Sequence, residues 1–158
     1  MSKKYLWACL FLVIIFLPKA GFAATLSVVL NKDIFSVGDQ FTADVKIDSE
    51  DAGVNAAQAT INFSKDTLEV ISIDKTTSVF NFWLQDPAFD NSKGEVSFIG
   101  GSTAGFTGKS LQALKIVFRV KGTGSGNLAL TDGAITASDG SGTNLLSSMK
   151  GVQFSIVG

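Results

Sequence analysis

The sequence holds fourteen acidic residues, thirteen basic residues, one cysteine and no histidine, and these counts limit the chemistry open to it. Nucleophilic triads usually take their general base from histidine, so that route is closed. Zinc sites built on histidine and cysteine are closed by the same lack. Carboxylate chemistry remains, because a glycosidase needs only two carboxylates flanking the bond it breaks. The candidate pairs are Asp86 with Asp90, Asp66 with Glu69, and Glu50 with Asp51. All three lie in turn-forming stretches, where acidic residues build Asx-turns and keep loops hydrated. No catalytic residue is assigned, and the expectation is a protein that is not an enzyme.

Hard oxygen ligands are the second chemistry on offer. Asp132-Gly133 and the run Asp139-Gly140-Ser141-Gly142-Thr143-Asn144 form an oxygen-rich stretch, and calcium takes six to eight such ligands. The spacing does not fit an EF-hand, since the twelfth position from Asp139 is Lys150, where a bidentate glutamate is needed. The expectation is a turn of Asp-Gly and Asn chemistry, with no cofactor. Asp139, Ser141 and Asn144 are the ligands in the alternative reading of a calcium loop. Thr103-Ala104-Gly105-Phe106-Thr107-Gly108 is the other glycine-rich stretch. It has no strand-to-helix context, so it is not a phosphate loop. A plain connection between strands is expected there, with a mobile functional loop as the alternative.

The first 23 residues read as an export signal. Lys3 and Lys4 supply the positive start, Leu6 to Leu17 the apolar core, and Ala20-Gly21-Phe22-Ala23 the small residues of a cleavage site, which places the cut after Ala23. The apolar run is about a dozen residues, short of the roughly 20 that span a bilayer. The expected location is extracellular or at the cell surface, with the periplasm as the alternative. Removing Lys3, Lys4 and Lys19 leaves ten basic against fourteen acidic residues, a net charge near −4. Nucleic acid and anionic membranes want a basic patch, so neither is an expected partner. Residues 24–158 are enough for one domain with one core. Without cysteine it has no disulfide, and its stability must come from packing, chiefly of ten phenylalanines.

The elements that position these residues are strands. Phe41, Ala43, Val45 and Ile47 alternate with Gln40, Thr42, Asp44, Lys46 and Asp48, and Ala57, Ala59, Ile61 and Phe63 alternate with Gln58, Thr60, Asn62 and Ser64. A period of two means strands with one dry face and one wet face. Turn chemistry bounds them at Val37-Gly38-Asp39, Glu50-Asp51-Ala52-Gly53 and Ser64-Lys65-Asp66. Nine strands are predicted, at about 25–30, 39–49, 55–64, 67–74, 79–85, 94–101, 110–121, 126–135 and 150–157. This rhythm of short strands and frequent turns predicts an all-β antiparallel sandwich or jelly roll. Leu68 and Val70 give way to Ile71 and Ile73, a change of phase that predicts a bulge in the fourth strand.

A family resemblance rests on an ordered set of segments. Phe35-Ser36-Val37-Gly38-Asp39-Gln40-Phe41 is followed by Gly53 to Phe63 and by Leu68-Glu69-Val70-Ile71. Val96-Ser97-Phe98-Ile99-Gly100-Gly101, Thr107-Gly108 and Leu114-Lys115-Ile116-Val117-Phe118 complete it. The order and spacing resemble the cohesin domain, the receptor module of bacterial cellulosomes and related surface proteins, over nearly all of residues 24–158. The resemblance implies a nine-stranded jelly roll, with predicted strands 8-3-6-5 in one sheet and 9-1-2-7-4 in the other. It implies a calcium-loaded dockerin as partner, bound mainly on the 8-3-6-5 face. The fold also resembles carbohydrate-binding modules. Where many dockerin-binding cohesins carry Asn and Asp early in the third strand, this chain has Ala56 and Gln58.

Charge patterning adds to this. Asp44, Lys46 and Asp48 on the second predicted strand face Lys115, Arg119 and Lys121 on the seventh, as suits neighbouring strands with a solvated outer face. The outward positions of strands three, five, six and eight are Gln58, Thr60, Asn62, Asn81, Trp83, Gln85, Ser97, Ile99, Ala129 and Thr131, and none is charged. A charge-poor surface with an aromatic at its centre has the composition of a contact patch. Alternation from Phe80, Phe82 and Leu84 on the inner face places Trp83 outside as anchor. The alternative packs Trp83 under 102–108 against Phe106. Gln58, Thr60, Asn62, Asn81, Trp83, Gln85, Ser97, Ile99 and Thr131 are the candidate partner-binding residues. The expected function is secreted, non-catalytic binding of a protein partner, dockerin-like, in polysaccharide degradation or cell-surface assembly. The alternatives are polysaccharide binding and a structural or adhesive surface protein.

Overall fold

The computed structural model describes residue 21 and residues 23–158. The expected export signal, 1–23, therefore falls almost wholly outside the described residues. Ala24 is the first residue of β1 and is fully buried.

Eleven strands and no helix make up the described residues. They are β1 (Ala24–Val29), β2 (Ile34–Ser36), β3 (Gln40–Asp48), β4 (Glu50–Phe63), β5 (Leu68–Asp74) and β6 (Phe82–Asp90). Then follow β7 (Glu95–Gly108), β8 (Leu111–Val120), β9 (Gly124–Ala137), β10 (Leu146–Lys150) and β11 (Val152–Val157). One sheet runs β10-β1-β3-β8-β5 and the other β2-β11-β9-β4-β7-β6. The sandwich expected from the alternation is thus present, with two strands more than the nine predicted. Both additions, β2 and β10, are short, and both pair parallel to their neighbours.

The inner-face residues named by alternation form the core. Phe41, Ala43, Val45 and Ile47 are buried from β3, and Ala57, Ala59, Ile61 and Phe63 from β4. Seven phenylalanines are buried: Phe35, Phe41, Phe63, Phe80, Phe98, Phe118 and Phe154. Phe41 stacks on Phe118 at 5.4 Å and meets Phe154 edge-on at 5.4 Å. Such pairs add roughly 0.5–1.5 kcal/mol beyond the area they bury. The predicted bulge in the fourth strand is the slip between Val70 and Ser72 in β5. Asp44 lies opposite Lys115 across β3 and β8, while Arg119 reaches Glu69 of β5 at 3.3 Å.

The last predicted strand is corrected. The resemblance implies that it joins the first strand's sheet, but β11 pairs with β9 in the opposite sheet and β10 takes the place beside β1. The chain changes sheet at Gly151, pressed against the Leu128 carbonyl so closely that a Cβ would overlap it. Glycine is therefore needed at the crossing. The stretch 103–108 is also more ordered than a connection, since β7 runs through it to Gly108 and pairs Phe106 with Val54 of β4.

Candidate functional site

Four strands carry the candidate face, in the order β9-β4-β7-β6. Residues directly opposite one another on antiparallel strands share a face. The register therefore sorts the outer surface into rows. One row is Thr131, Thr60, Ser97 and Ala88, and the next is Ala134, Gln58, Ile99 and Gln85. A third is Thr136, Ala56, Gly101 and Phe82. A fourth begins with Ala129 and Asn62 but ends with Glu95 and Asp90, so the charge-poor area stops there. No other segment among the described residues covers Gln58, Gln85 or Thr131, which are exposed.

The polar side chains of this face hold one another. Asn62 Nδ2 donates to Thr131 Oγ1 at 2.8 Å, and Gln85 Nε2 donates to Ser97 Oγ at 2.8 Å. Gln58 Nε2 donates to the Asp132 carbonyl at 3.3 Å. Asn81 donates to Thr103 Oγ1 at 3.0 Å and accepts from the Thr103 amide at 3.2 Å. These pairs fix rotamers before any partner arrives. Preorganisation of this kind reduces the entropy lost on binding. Between them lies a depression of about 80 Å³ lined by Gln58, Thr60, Gln85, Ser97, Ile99 and Asp132, among others.

Trp83 is corrected. It sits opposite Gly100 and packs against the core, edge-on to Phe80 at 5.3 Å and to Phe98 at 6.2 Å. Lys75 Nζ lies 5.5 Å from its ring centroid. The exposed apolar residues around Trp83 in β6 are instead Phe82, 40% exposed, and Leu84, 69% exposed, with Gln85 and Ala88 also outward. Alternation fails here for a local reason. Strand geometry begins only at Phe82, and bends at Val79 and Asn81 reset the phase after Phe80 turns inward. A second slip between Trp83 and Gln85 leaves Leu84 as the extra residue of a bulge. Two glycines then sort the rings. A Cβ on Gly100 would overlap Phe80 from the inside, and one on Gly101 would overlap Phe82 from the outside. Phe106 meets Phe80 at 5.8 Å on the core side, so the alternative that packs Trp83 inward is correct in direction, with Phe80 between it and Phe106.

Phe82, Leu84 and Asp132 are the exposed residues of the candidate face that alternation missed. The one sequence signal for Asp132 is the dipeptide Asp132-Gly133, which marks a turn or bulge. In β9 it forms a bulge, where the register with β4 slips between the Gln58 and Thr60 pairings. Asp132 has φ of 50°, in the left-handed region, which aspartate tolerates better than most residues.

The oxygen-rich stretch near 139–144 binds itself. Asp139 accepts from the Thr143 hydroxyl at 2.7 Å and the Ser141 amide at 2.8 Å. These bonds, the hydroxyl first, hold its carboxyl below the ordinary value. Asn144 Oδ1 accepts from the Ile135 and Leu146 amides, each at 3.1 Å. The Asp139 and Asn144 oxygens are thus engaged by the chain's own amides and the Thr143 hydroxyl, and the residues do not fit a calcium site. Among the described residues no cluster of three or more His, Cys, Asp or Glu is placed to hold a metal. The candidate carboxylate pairs are only partly turn formers as expected: Asp90 accepts from the Ser92 hydroxyl and amide, whereas Asp86 lies within β6 and pairs with Lys75 at 2.5 Å, and Glu50, Asp51 and Glu69 lie within β4 and β5.

Solved structures with this fold include several cohesin modules. A non-cellulosomal cohesin from the archaeon Archaeoglobus fulgidus superposes with a TM-score of 0.67 at 19% identity, covering 86% of this chain and 92% of its own. The sixth cohesin of scaffoldin B from Acetivibrio cellulolyticus, solved in complex with a Cel5 dockerin mutant, gives 0.70 at 15% identity and covers 85% and 99%. A type I cohesin–dockerin complex from Clostridium thermocellum, Coh-OlpC with Doc435, gives 0.67 at 11% identity and covers 86% and 96%. No curated protein sequence matches this chain. The family model for the cohesin domain matches residues 25–155. By that match, supported by the sheet order of β9-β4-β7-β6, the chain belongs to the cohesin domain family.

Proposed function

We propose that this chain is an exported, non-catalytic recognition module that holds a dockerin-type protein on the outer face of β9-β4-β7-β6. The observation that carries the reading is the open side of β6 and β7. Phe82 and Leu84 project from it beside Ile99, on a surface whose polar groups are already paired with one another. An apolar anchor with a pre-paired polar surround is how contact surfaces concentrate their affinity. The contact set is redrawn as Phe82, Leu84, Gln85, Ile99, Gln58 and Thr60, with Asn62, Asn81, Ser97 and Thr131 as the polar surround. Two solved relatives are cohesins in complex with dockerins, which supports a partner of that class. Export rests on the N-terminal segment Lys3 to Ala23.

A polysaccharide ligand has less support. The aromatic expected to stack on a sugar ring is Trp83, and its indole is turned to the core. The test is calorimetric titration of the 24–158 domain with a panel of calcium-loaded dockerins, alongside a glycan array. Binding to at least one dockerin, lost in a Phe82→Ser, Leu84→Ser double variant that melts as wild type does, is the expected result. Glycan binding without dockerin binding would overturn it.

A further inference from the structure

The contact face carries one carboxylate in its interior. Asp132 borders the depression formed with Gln58, Thr60, Gln85, Ser97 and Ile99, and it takes part in none of the ion pairs among the described residues. Its side chain has only a long contact with Thr131 Oγ1 at 3.5 Å. The backbone is held there from three directions. Asp132 is left-handed at φ 50°. Gly133 backs onto Met149 and Leu146 of β10, leaving no room for a Cβ. Gln58 grips the Asp132 carbonyl. A left-handed non-glycine residue costs on the order of 1–3 kcal/mol and persists only where its surroundings over-determine it. Bulges of this kind re-aim a side chain.

We infer that Asp132 is a specificity-determining residue of the proposed partner site, and this rests on the reading above. A partner that closes over this face strips water from the carboxylate. That is unfavourable unless the partner supplies a cation or donors in return. Asp132 therefore admits partners that place a lysine or arginine over the depression between β9, β4 and β7. It rejects those with an apolar or acidic side chain there, which is selection by penalty as much as by attraction. Phe82 and Leu84 supply affinity at the β6 end, and Asp132 supplies the choice at the β9 end.

The experiment is selection from a phage-displayed library of calcium-loaded dockerin modules randomised at helix-surface positions. The baits are wild-type domain, Asp132→Asn and Asp132→Lys. Asparagine tolerates the left-handed backbone, and equal melting temperatures verify that each bait is folded. Wild type should enrich Lys or Arg at one library position, Asp132→Asn should relax that preference, and Asp132→Lys should replace it with Asp or Glu. A wild-type-selected binder should lose roughly ten- to a hundredfold in affinity on Asp132→Asn, with a weaker salt dependence. Binders that are lost with Leu84→Ser yet are indifferent to residue 132 would overturn the inference and leave the partner site standing. No dockerin binder on any bait would overturn both.

Discussion

Truncating Trp83 and truncating Leu84 should have opposite consequences, although the two residues are neighbours in one strand. Trp83 meets Phe80 and Phe98 edge-on and joins the core. Full burial of a tryptophan makes its truncation cost about 3–5 kcal/mol. Trp83 is half-buried, so a loss of about 2–4 kcal/mol is expected for Trp83→Ala. In a domain of this size that lowers Tm by roughly 10 °C. Leu84 is 69% exposed. Its truncation forfeits only a fraction of the roughly 1.5–3 kcal/mol of a fully buried aliphatic side chain, so Tm should move by no more than about 3 °C. Binding reverses the order. Folded Trp83→Ala should keep its affinity below its own Tm, while Leu84→Ala should lose at least about fivefold, as an anchor does. Calorimetry supplies both numbers, by thermal scan and by titration with a dockerin bound by wild type. A Trp83→Ala domain that melts within a degree of wild type would refute the inward orientation. A Leu84→Ala domain with unchanged affinity would remove β6 from the contact surface.

Three further outcomes follow from the same contacts. Asp39, Asp74, Asp90 and Asp139 all hold carboxyl values below the ordinary 3.8, by hydrogen bonds first from Ser36, Thr76, Ser92 and Thr143 respectively. A depressed folded value gives stability that is present above the unfolded value and lost as pH falls through the folded one. Denaturation midpoints should therefore be flat from about pH 5 to 8, where a chain without histidine has no ordinary side chain to titrate, and should fall below about pH 4; a step near pH 6.5 would contradict this. Gly126→Ala puts a Cβ into the Phe154 ring, so urea unfolding should show a loss of about 1–3 kcal/mol from overpacking. Asn91 Oδ1 accepts from the Val70 amide at 2.7 Å and Asn91 Nδ2 donates to the Val70 carbonyl at 3.0 Å, standing in for a neighbouring strand at the edge of β5. Asn91→Ala should lose about 1–3 kcal/mol and expose the Val70 amide to hydrogen exchange, and unchanged protection there would show the brace to be idle.

Most of the core was legible because alternation reports sidedness wherever a strand is long and evenly paired, while the sheet order, apart from the last strand, was what the family resemblance implies. β3 and β4 are of that kind, and every inner position named from their pattern is buried. Where the chain leaves that regularity, the pattern misleads in a definite way. A period of two turns one extra residue into a reversal of every later side chain. At β6 the bends before Phe82 and the bulge at Leu84 do this twice within six residues, which exchanged Trp83 for Phe82 and Leu84. At β9 the Asp132-Gly133 bulge does it once. Gly100-Gly101 falls within β7, with Phe80 and Phe82 stacked on its opposite sides, a role that a glycine pair in sequence does not distinguish from a turn or a bulge. The sheet exchange at Gly151 had no cue either, because a crossing is decided by which edge has a free partner, not by any residue's preference. Two of the irregularities thus fall at the flanks of the proposed contact face, β6 and β9. Regular strands can present only alternate side chains at fixed spacing. Bulges are the means by which this domain places an apolar projection at β6 and a carboxylate at β9, so the places where local pattern fails are those that decide what the proposed contact face presents.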